Sequence, residues 1–166
     1  MSWACDLVGG ELSKLSNEMV RRTLFDGKER GVYIVRHEGE IKRTPIQRGA
    51  NDSITVMPPS DGSLFGGVLG EPLGIIHTHP DGKFDKLFSY QDFESLVNSD
   101  LKFSAVAYRG TFWNKASVFT RPNREEANEI VRRESNRDYG GCQACRRLNI
   151  VRTLNKEFKD CTVRVS

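Results

Sequence analysis

The chain has 166 residues and a mass of 18.8 kDa, a size that suits one compact domain with a small appendage. It carries 25 Lys/Arg and 22 Asp/Glu residues, for a net charge of +3, and its mean hydropathy is −0.51. A charge this small does not indicate a nucleic-acid partner, and no stretch approaches the roughly 20 apolar residues of a membrane helix. The first residues also lack the pattern of a secretory signal, so we expect a globular, cytoplasmic protein.

The first part of the chain predicts one helix followed by several strands. Apolar residues at helical spacing predict an amphipathic helix over Glu11–Leu24, which Gly27 ends. A run of β-forming residues predicts a buried strand over Glu29–Val35, and a hairpin turn leads to a return strand over Ile41–Ile46. A further strand is predicted over Ile54–Met57, where a Pro-Pro pair ends it.

The middle of the chain begins with a glycine-rich stretch and continues with alternating strands and a helix. Residues Ser60–Gly74 contain five glycines without the spacing of a phosphate-binding loop, so a surface loop is predicted. Strands are predicted over Leu73–His79, Phe103–Tyr108 and Ala116–Thr120, and a helix over Ser89–Val97.

The end of the chain predicts two helices and a last strand, over Arg124–Asn136, Cys145–Phe158 and Cys161–Val165. From residue 121 onward there are 11 Lys/Arg against 7 Asp/Glu, so the basic charge lies here. Interleaved charges are typical of a solvated helix face, and a nucleic-acid contact is the weaker alternative. The whole pattern predicts an α+β fold, with a main domain over 1–121 and a basic, helical C-terminal extension over 122–166.

Two histidines at the end of a predicted strand carry the clearest chemical signal. His77 and His79 are two positions apart, so both imidazoles point to the same face. A catalytic zinc ion takes three protein ligands and keeps a further position open for water. Asp92 lies one turn into the next predicted helix, whose start can fold back over the strand end. His77, His79 and Asp92 are therefore the predicted zinc ligands.

A purely structural interpretation competes for part of this set. Ser89-x-x-Asp92 also fits a capping box, with Ser89 as N-cap and the acid at the third helical position. Capping and metal binding can coexist for Ser89, but they compete for the Asp92 carboxylate. Because the three ligand-type residues fall within sixteen positions, metal binding is the favoured interpretation.

The sequence His-x-His-Pro followed by Ser-x-x-Asp resembles the JAMM (MPN+) metalloproteases, zinc enzymes that cleave ubiquitin or ubiquitin-like proteins from lysine side chains. The resemblance covers about Glu11–Thr120. It implies an MPN-like, cytidine-deaminase-like mixed sheet flanked by helices, a zinc cofactor, and a ubiquitin-like conjugate or another peptide as substrate. One departure is that Pro80–Phe88 places nine residues between the second histidine and the serine, two more than the family usually has.

The resemblance also implies the roles of further residues. The family has a glutamate on an early strand as general base, and Glu29 matches it, with Glu38 and Glu40 as alternatives at the predicted hairpin turn. Ser89 would donate a hydrogen bond to the oxyanion. The Ser60–Gly74 loop would clamp the extended tail of the substrate as an added strand.

Two other functions remain open at this point. The chain could be a non-catalytic MPN-like scaffold, or a metal-dependent amidohydrolase that acts on a small molecule. The resemblance favours the peptidase or isopeptidase over both.

The cysteines allow three interpretations. Cys142-x-x-Cys145 and Cys161 could supply three ligands of a second, structural zinc site, with Cys5 or His37 as the fourth. The CxxC pair could instead form a disulfide or redox pair at the start of a helix, or the cysteines could be unremarkable. Four cysteines in a chain of this length are too sparse for a typical secreted disulfide framework, which favours an intracellular protein.

Overall fold

The computed structural model describes residues 2–59, 70–81 and 87–165. The helices in these ranges are α1 (Trp3–Gly9), α2 (Ser13–Asp26), α3 (Tyr90–Val97), α4 (Arg124–Ser135) and α5 (Gln143–Phe158). The strands are β1 (Arg30–His37), β2 (Glu40–Arg43), β3 (Gln47–Arg48), β4 (Glu71–Thr78), β5 (Phe103–Arg109), β6 (Asn114–Thr120) and β7 (Lys159–Arg164). None of the helices in the described ranges combines the length and apolar character needed to cross a bilayer.

All seven strands form one mixed sheet in the order β2-β1-β4-β5-β6-β7, and β3 pairs with β1 beyond the end of β2. The neighbours β4 and β5 are parallel, whereas the other pairs are antiparallel. The prediction of an α+β fold with a mixed sheet flanked by helices is therefore confirmed.

Each face of the sheet is covered by its own apolar layer. The first layer packs α1 and α2 on the sheet through residues such as Val8, Met19 and Ile76. The second layer includes Phe88 and Phe119 together with apolar residues of α3, α4 and α5. Because side chains alternate along a strand, Ile76 of β4 points into the first layer and His77 points toward the second. This alternation decides which helix can meet the histidines.

The return strand predicted over Ile41–Ile46 is interrupted in the structure, because β2 ends at Arg43 and β3 begins at Gln47. Thr44 lies in the gap, where its backbone N–H donates to Tyr33 O and its Oγ1 accepts from Tyr33 N–H, both at 3.0 Å. Pro45 has no N–H to donate to a ladder, which favours a break at this point.

The strand predicted over Ile54–Met57 is wrong. The side-chain amide of Gln47 donates to Met57 O at 2.9 Å and accepts from Met57 N–H at 2.7 Å, in place of a neighbouring strand. Val56 and Ile54 cover Gly31 instead, where a Cβ atom would lie 2.4 Å from Val56 Cγ2. The β-forming residues here pack on the sheet without joining it.

The predicted C-terminal extension completes both the sheet and its second layer. β7 pairs with β6 at the sheet edge, and Leu154 of α5 is fully buried in the second layer. Two segments that matter to the resemblance lie outside the described residues. They are residues 60–69 of the predicted glycine-rich loop and residues 82–86, which fall within the longer spacing between histidine and serine.

The four cysteines form two disulfides, Cys5–Cys161 and Cys142–Cys145. No free cysteine remains, so the structure leaves no thiolate for a second, structural zinc site. Of the three interpretations that the sequence left open for the cysteines, the structure agrees with disulfide formation. The pairing of Cys161 with Cys5 joins β7 to α1.

Candidate metal centre

The histidines are placed by the middle of the sheet. β4 lies between β1 and β5, and His77 pairs with Gly31 on one side and Val106 on the other. The strand ends at Thr78, but His79 N–H still donates to Ala107 O at 3.2 Å. This bond fixes the backbone of the second histidine just beyond the strand, on the same face as the first.

The third predicted ligand is placed by the start of α3. Ser89 is the N-cap, and its Oγ accepts a hydrogen bond from Asp92 N–H at 3.1 Å. Asp92 Oδ2 accepts in return from Ser89 N–H at 3.0 Å, which completes a capping box. The helix start is thereby turned toward the histidines.

Three ligand-type atoms converge at this point. His77 Nε2 lies 3.2 Å from His79 Nε2 and 3.3 Å from Asp92 Oδ2, and His79 Nε2 lies 3.5 Å from the same oxygen. Four-coordinate zinc with bonds of about 2.0–2.1 Å separates neighbouring ligand atoms by about 3.3 Å. The three distances match this spacing, and two imidazoles with a carboxylate are ordinary zinc ligands, so the residues fit a zinc ion.

Helix capping and metal binding were expected to compete for the Asp92 carboxylate. In the structure, a single oxygen of Asp92 faces both the helix cap and the histidines. Oδ2 accepts the Ser89 N–H and also lies against both imidazoles. Burial alone would raise the pKa of the Asp92 carboxyl, but the charges and hydrogen bonds of His77 and His79 outweigh it and hold the pKa well below its usual range.

Glu29 lies beside this group, immediately before β1. Its backbone N–H donates to Ala50 O and its carbonyl accepts from Gly49 N–H, both at 2.8 Å. The carboxylate is buried, and Oε1 lies 4.0 Å from His79 Nε2. Burial raises the pKa of this carboxyl to about 7, with a smaller lowering by His79.

Glu29, His77 and His79 place one ligand-type atom each within 4.8 Å of one another, so this buried group could hold a metal ion. Asp92 Oδ2 lies closer to both imidazoles, at 3.3 and 3.5 Å, than Glu29 Oε1 does to His79, at 4.0 Å.

The alternative acids Glu38 and Glu40 are not brought to the histidines. Both are exposed, Glu38 in the two-residue turn between β1 and β2 and Glu40 at the start of β2, where its Oε2 forms an ion pair with Lys42 Nζ at 3.0 Å. Gly31 pairs with His77 at the opposite end of β1, roughly 20 Å away at about 3.3 Å per residue. His37, considered as a cysteine-site ligand, lies at the same distant end.

A cleft of about 790 Å³ opens over the site. Glu29, His79, Ser89 and Asp92 line it, together with residues 51–55 on one side. His77 is almost fully buried and lies beneath. The cleft therefore exposes one face of the ligand group and the neighbouring carboxylate to an incoming molecule.

One residue that supports the site was missed by the sequence argument. Asn155 of α5 accepts a hydrogen bond from Phe88 N–H at 2.9 Å and donates Nδ2–H to Phe88 O at 2.8 Å. Phe88 directly precedes Ser89, and its fully buried ring packs against Phe119 with a centroid separation of 4.5 Å. No sequence signal joins two residues 67 positions apart, so only the fold reveals this contact.

The chain was also compared with known proteins. No family model, no curated protein and no solved structure matches it.

Proposed function

We propose that this protein is a zinc-dependent hydrolase that cleaves a peptide or isopeptide bond, with His77, His79 and Asp92 as the metal ligands. The observation that carries the proposal is the convergence of these three ligand atoms at 3.2–3.5 Å from one another, beside a buried glutamate at the base of an open cleft. The resemblance to JAMM metalloproteases supports the same ligand set.

A zinc ion held there would lower the pKa of a coordinated water to about 7 and polarise a substrate carbonyl. We assign to Glu29 the role of accepting the proton of the attacking water, and the 4.0 Å between its Oε1 and His79 Nε2 supports this role. The same carboxylic acid would then give its proton to the leaving amine. The bonds from Glu29 to residues 49 and 50 keep its backbone in place for both transfers.

Ser89 lines the cleft beside the ligands. Its Oγ uses a lone pair to accept from Asp92 N–H, so the hydroxyl proton remains for another partner. We propose that the Ser89 hydroxyl donates a hydrogen bond to the oxyanion that forms when water adds to the carbonyl.

The substrate class follows from the resemblance, which points to a ubiquitin-like protein conjugated through its C-terminal tail. A second function, hydrolysis of a small-molecule amide, is favoured by the cleft volume of about 790 Å³, which falls within the usual range for small-molecule sites. The two differ in the leaving group and share the same five site residues.

Metal content is the first test. Protein purified without chelator should carry one zinc per chain by elemental mass spectrometry, and His77→Ala or Asp92→Ala should lower this content. Because the cysteines are paired, a second zinc is not expected. A zinc-free protein that stays zinc-free after supplementation would overturn the proposal.

Catalysis is tested with Glu29→Gln, which keeps the shape of the side chain and removes its basic oxygen. We expect zinc content to be unchanged and turnover to fall by about 10²-fold or more. Turnover is measured on an isopeptide-linked ubiquitin-like conjugate and on a small aryl amide. Cleavage of only the small amide would select the second function, and cleavage of neither by the zinc-loaded wild type would indicate a non-catalytic scaffold.

A further inference from the structure

The first turn of α5 carries a disulfide that the proposed hydrolysis does not use. Cys142 is the N-cap of this 16-residue helix, and Cys145 lies in its first turn. Cys142 is half-buried and Cys145 is exposed, so a thiol in solution can reach this bond. In the other disulfide, Cys5 is only 1% exposed and Cys161 is half-buried.

The two disulfides differ in what they can contribute to stability. In the chain-entropy account, a disulfide stabilises a protein more when it closes a longer loop. Cys5 and Cys161 are 156 positions apart, whereas Cys142 and Cys145 are separated by three. The short-range pair therefore adds the smaller constraint, and exposed disulfides are generally the more easily reduced ones.

The surroundings of Cys142 favour a thiolate. Its Sγ accepts a hydrogen bond from Cys145 N–H at 3.1 Å, and the positive end of the helix dipole lies at the same place. Arg146 follows one turn later on the same face, because positions i and i+4 are neighbours on a helix. A cysteine at a helix N-terminus beside an arginine generally has a lowered pKa.

Arg146 has unused capacity to stabilise an anion. Its Nε is buried without a hydrogen-bond partner, and no ion pair in the described part of the chain engages its side chain. Its Nη1 donates to Gln143 Oε1 at 2.9 Å, and the guanidinium lies 5.6 Å from the centre of the Tyr139 ring. These contacts hold the cation at the start of the helix.

The segment that leads into the disulfide is anchored independently of it. Cys142 N–H donates to Tyr139 O at 3.1 Å, and the Tyr139 hydroxyl donates to Glu134 Oε2 at 3.1 Å while accepting from Asn149 Nδ2–H at 2.7 Å. Opening the disulfide would thus leave the start of α5 in place, ready to close again.

From these observations we propose that Cys142 and Cys145 form a thiol–disulfide exchange site that accepts two electrons from a dithiol. A thiolate of the dithiol attacks Cys145 Sγ, the bond between the two cysteines breaks, and Cys142 leaves as the stabilised thiolate. The second thiolate of the dithiol then attacks the first sulfur of the same dithiol, which is bonded to Cys145 in the mixed disulfide. This step forms the disulfide product and releases the Cys145 thiolate. The two protons of the dithiol pass to solvent or to the reduced cysteines. This activity does not depend on the proposed hydrolysis.

The first experiment compares the two disulfides within the same native protein. Protein is equilibrated with increasing dithiothreitol, alkylated with iodoacetamide and weighed by mass spectrometry. We expect two alkyl groups, on Cys142 and Cys145, at reductant concentrations that leave Cys5 and Cys161 unmodified. Equal resistance of the two disulfides, or reduction only after unfolding, would overturn the proposal.

The second experiment measures the alkylation rate of reduced Cys142 as a function of pH in a Cys145→Ser background. We expect an apparent pKa below the ordinary thiol value of about 8.5. Arg146→Gln should raise this pKa, whereas Arg147→Gln, the matched control on another face of the helix, should leave it unchanged. An ordinary pKa that neither variant moves would contradict the assigned role of Arg146 and the exchange site.

The third experiment tests the exchange itself, with dithiothreitol as the dithiol and insulin as the acceptor disulfide. Wild-type protein should speed insulin reduction, and the double variant Cys142→Ser with Cys145→Ser should not. If the two proteins give the same rate, the pair is not an exchange site.

Discussion

Ser89 serves both the fold and the proposed chemistry with one short side chain. Its Oγ accepts from Asp92 N–H and so begins α3, while its own N–H donates to Asp92 Oδ2. A carboxylate oxygen has lone pairs enough to accept this bond and also face a metal. The helix cap thus orients the Asp92 side chain, the proposed metal ligand.

Ser89→Ala should therefore weaken stability and turnover together. Loss of the cap should cost about 1 kcal/mol in the free energy of unfolding, and loss of an oxyanion donor about 10²–10³ in turnover. Ser89→Thr keeps a hydroxyl and should restore most of both. Denaturant unfolding and steady-state turnover measure the two effects, and a threonine variant as inactive as the alanine variant would contradict the assigned role.

The proximity of His77, His79 and Asp92 could be predicted from sequence because it is locally encoded. His77 lies on β4 and His79 directly follows its end, and Asp92 belongs to a capping pattern that also fixes its direction. The acid that lies nearest to the histidines could not be chosen in the same way. Glu29, Glu38 and Glu40 flank one strand, and only the register of β1 against β4 shows that Glu29 alone is near the histidines.

At the scale of elements, α5 holds the residue that precedes α3. Asn155 satisfies both backbone groups of Phe88, which is otherwise surrounded by apolar side chains. The C-terminal part of the chain thereby fixes where the capping box, and with it Asp92, lies. Asn155 is a positioning residue in this respect, since it acts on the site through Phe88.

Asn155→Ala should leave the buried N–H and C=O of Phe88 without partners, at a cost of about 1–3 kcal/mol for each group. Because α3 loses its support, the Kd for zinc should also rise, by about tenfold. Denaturant unfolding and zinc titration against a chromogenic chelator measure the two effects.

Asn149→Ala is the matched control for this prediction, because Asn149 lies on the same helix but bonds to Glu134 and Tyr139. It should lower stability without changing zinc affinity. Equal loss of zinc affinity in the two variants would mean that Asn155 acts only through general stability.

Glu134 joins α4 to α5 and makes their packing depend on pH. The hydrogen bond from Arg137 is the main cause of a lowered pKa for this carboxyl, and Tyr139 adds a second bond. A group with a lowered folded-state pKa stabilises the protein above its unfolded pKa and loses this effect as the pH falls.

Glu134→Gln should accordingly be less stable than the wild type at pH 7. The difference should shrink progressively below the ordinary glutamate pKa of about 4.3, as the wild-type carboxyl becomes protonated. Unfolding free energies of both proteins measured across this range test the prediction. A stability difference independent of pH would show that the charge of Glu134 is not the cause.

Long, periodic elements were predictable, and short or unpaired ones were not. The apolar spacing of α2 and the cap of α3 are local signals, and both helices were predicted close to their observed bounds. Ile54–Met57 has strand-forming residues, but the Gln47 side chain occupies the Met57 backbone groups. The seven-residue helix α1 went unpredicted because so short a segment gives little periodic signal.

At the scale of the whole molecule, the Cys5–Cys161 disulfide joins the first helix to the last strand. Sequence spacing gave no reason to pair these two cysteines, because their proximity follows from the packing of α1 against β6 and β7. A covalent bond therefore ties the edge strand β7 to α1.

Cys5→Ser combined with Cys161→Ser should lower the free energy of unfolding by about 2–5 kcal/mol, because the unfolded chain regains the freedom of a very long loop. Cys142→Ser combined with Cys145→Ser should cost less. Denaturant unfolding of the two double variants under non-reducing conditions tests this order. The reverse order would contradict the assignment of the first disulfide to stability and the second to exchange.

The unequal depth of the three proposed ligands would have a kinetic consequence. Side-chain exposure is 24% for Asp92, 14% for His79 and 5% for His77, so in the described part of the chain the ligands form a graded path down from the cleft. A metal ion entering by this path would meet the carboxylate first and the deepest imidazole last, and it would leave in the opposite order. Uptake and removal of the metal should then be stepwise, and a chelator should bind the ion only after His77 has dissociated from it.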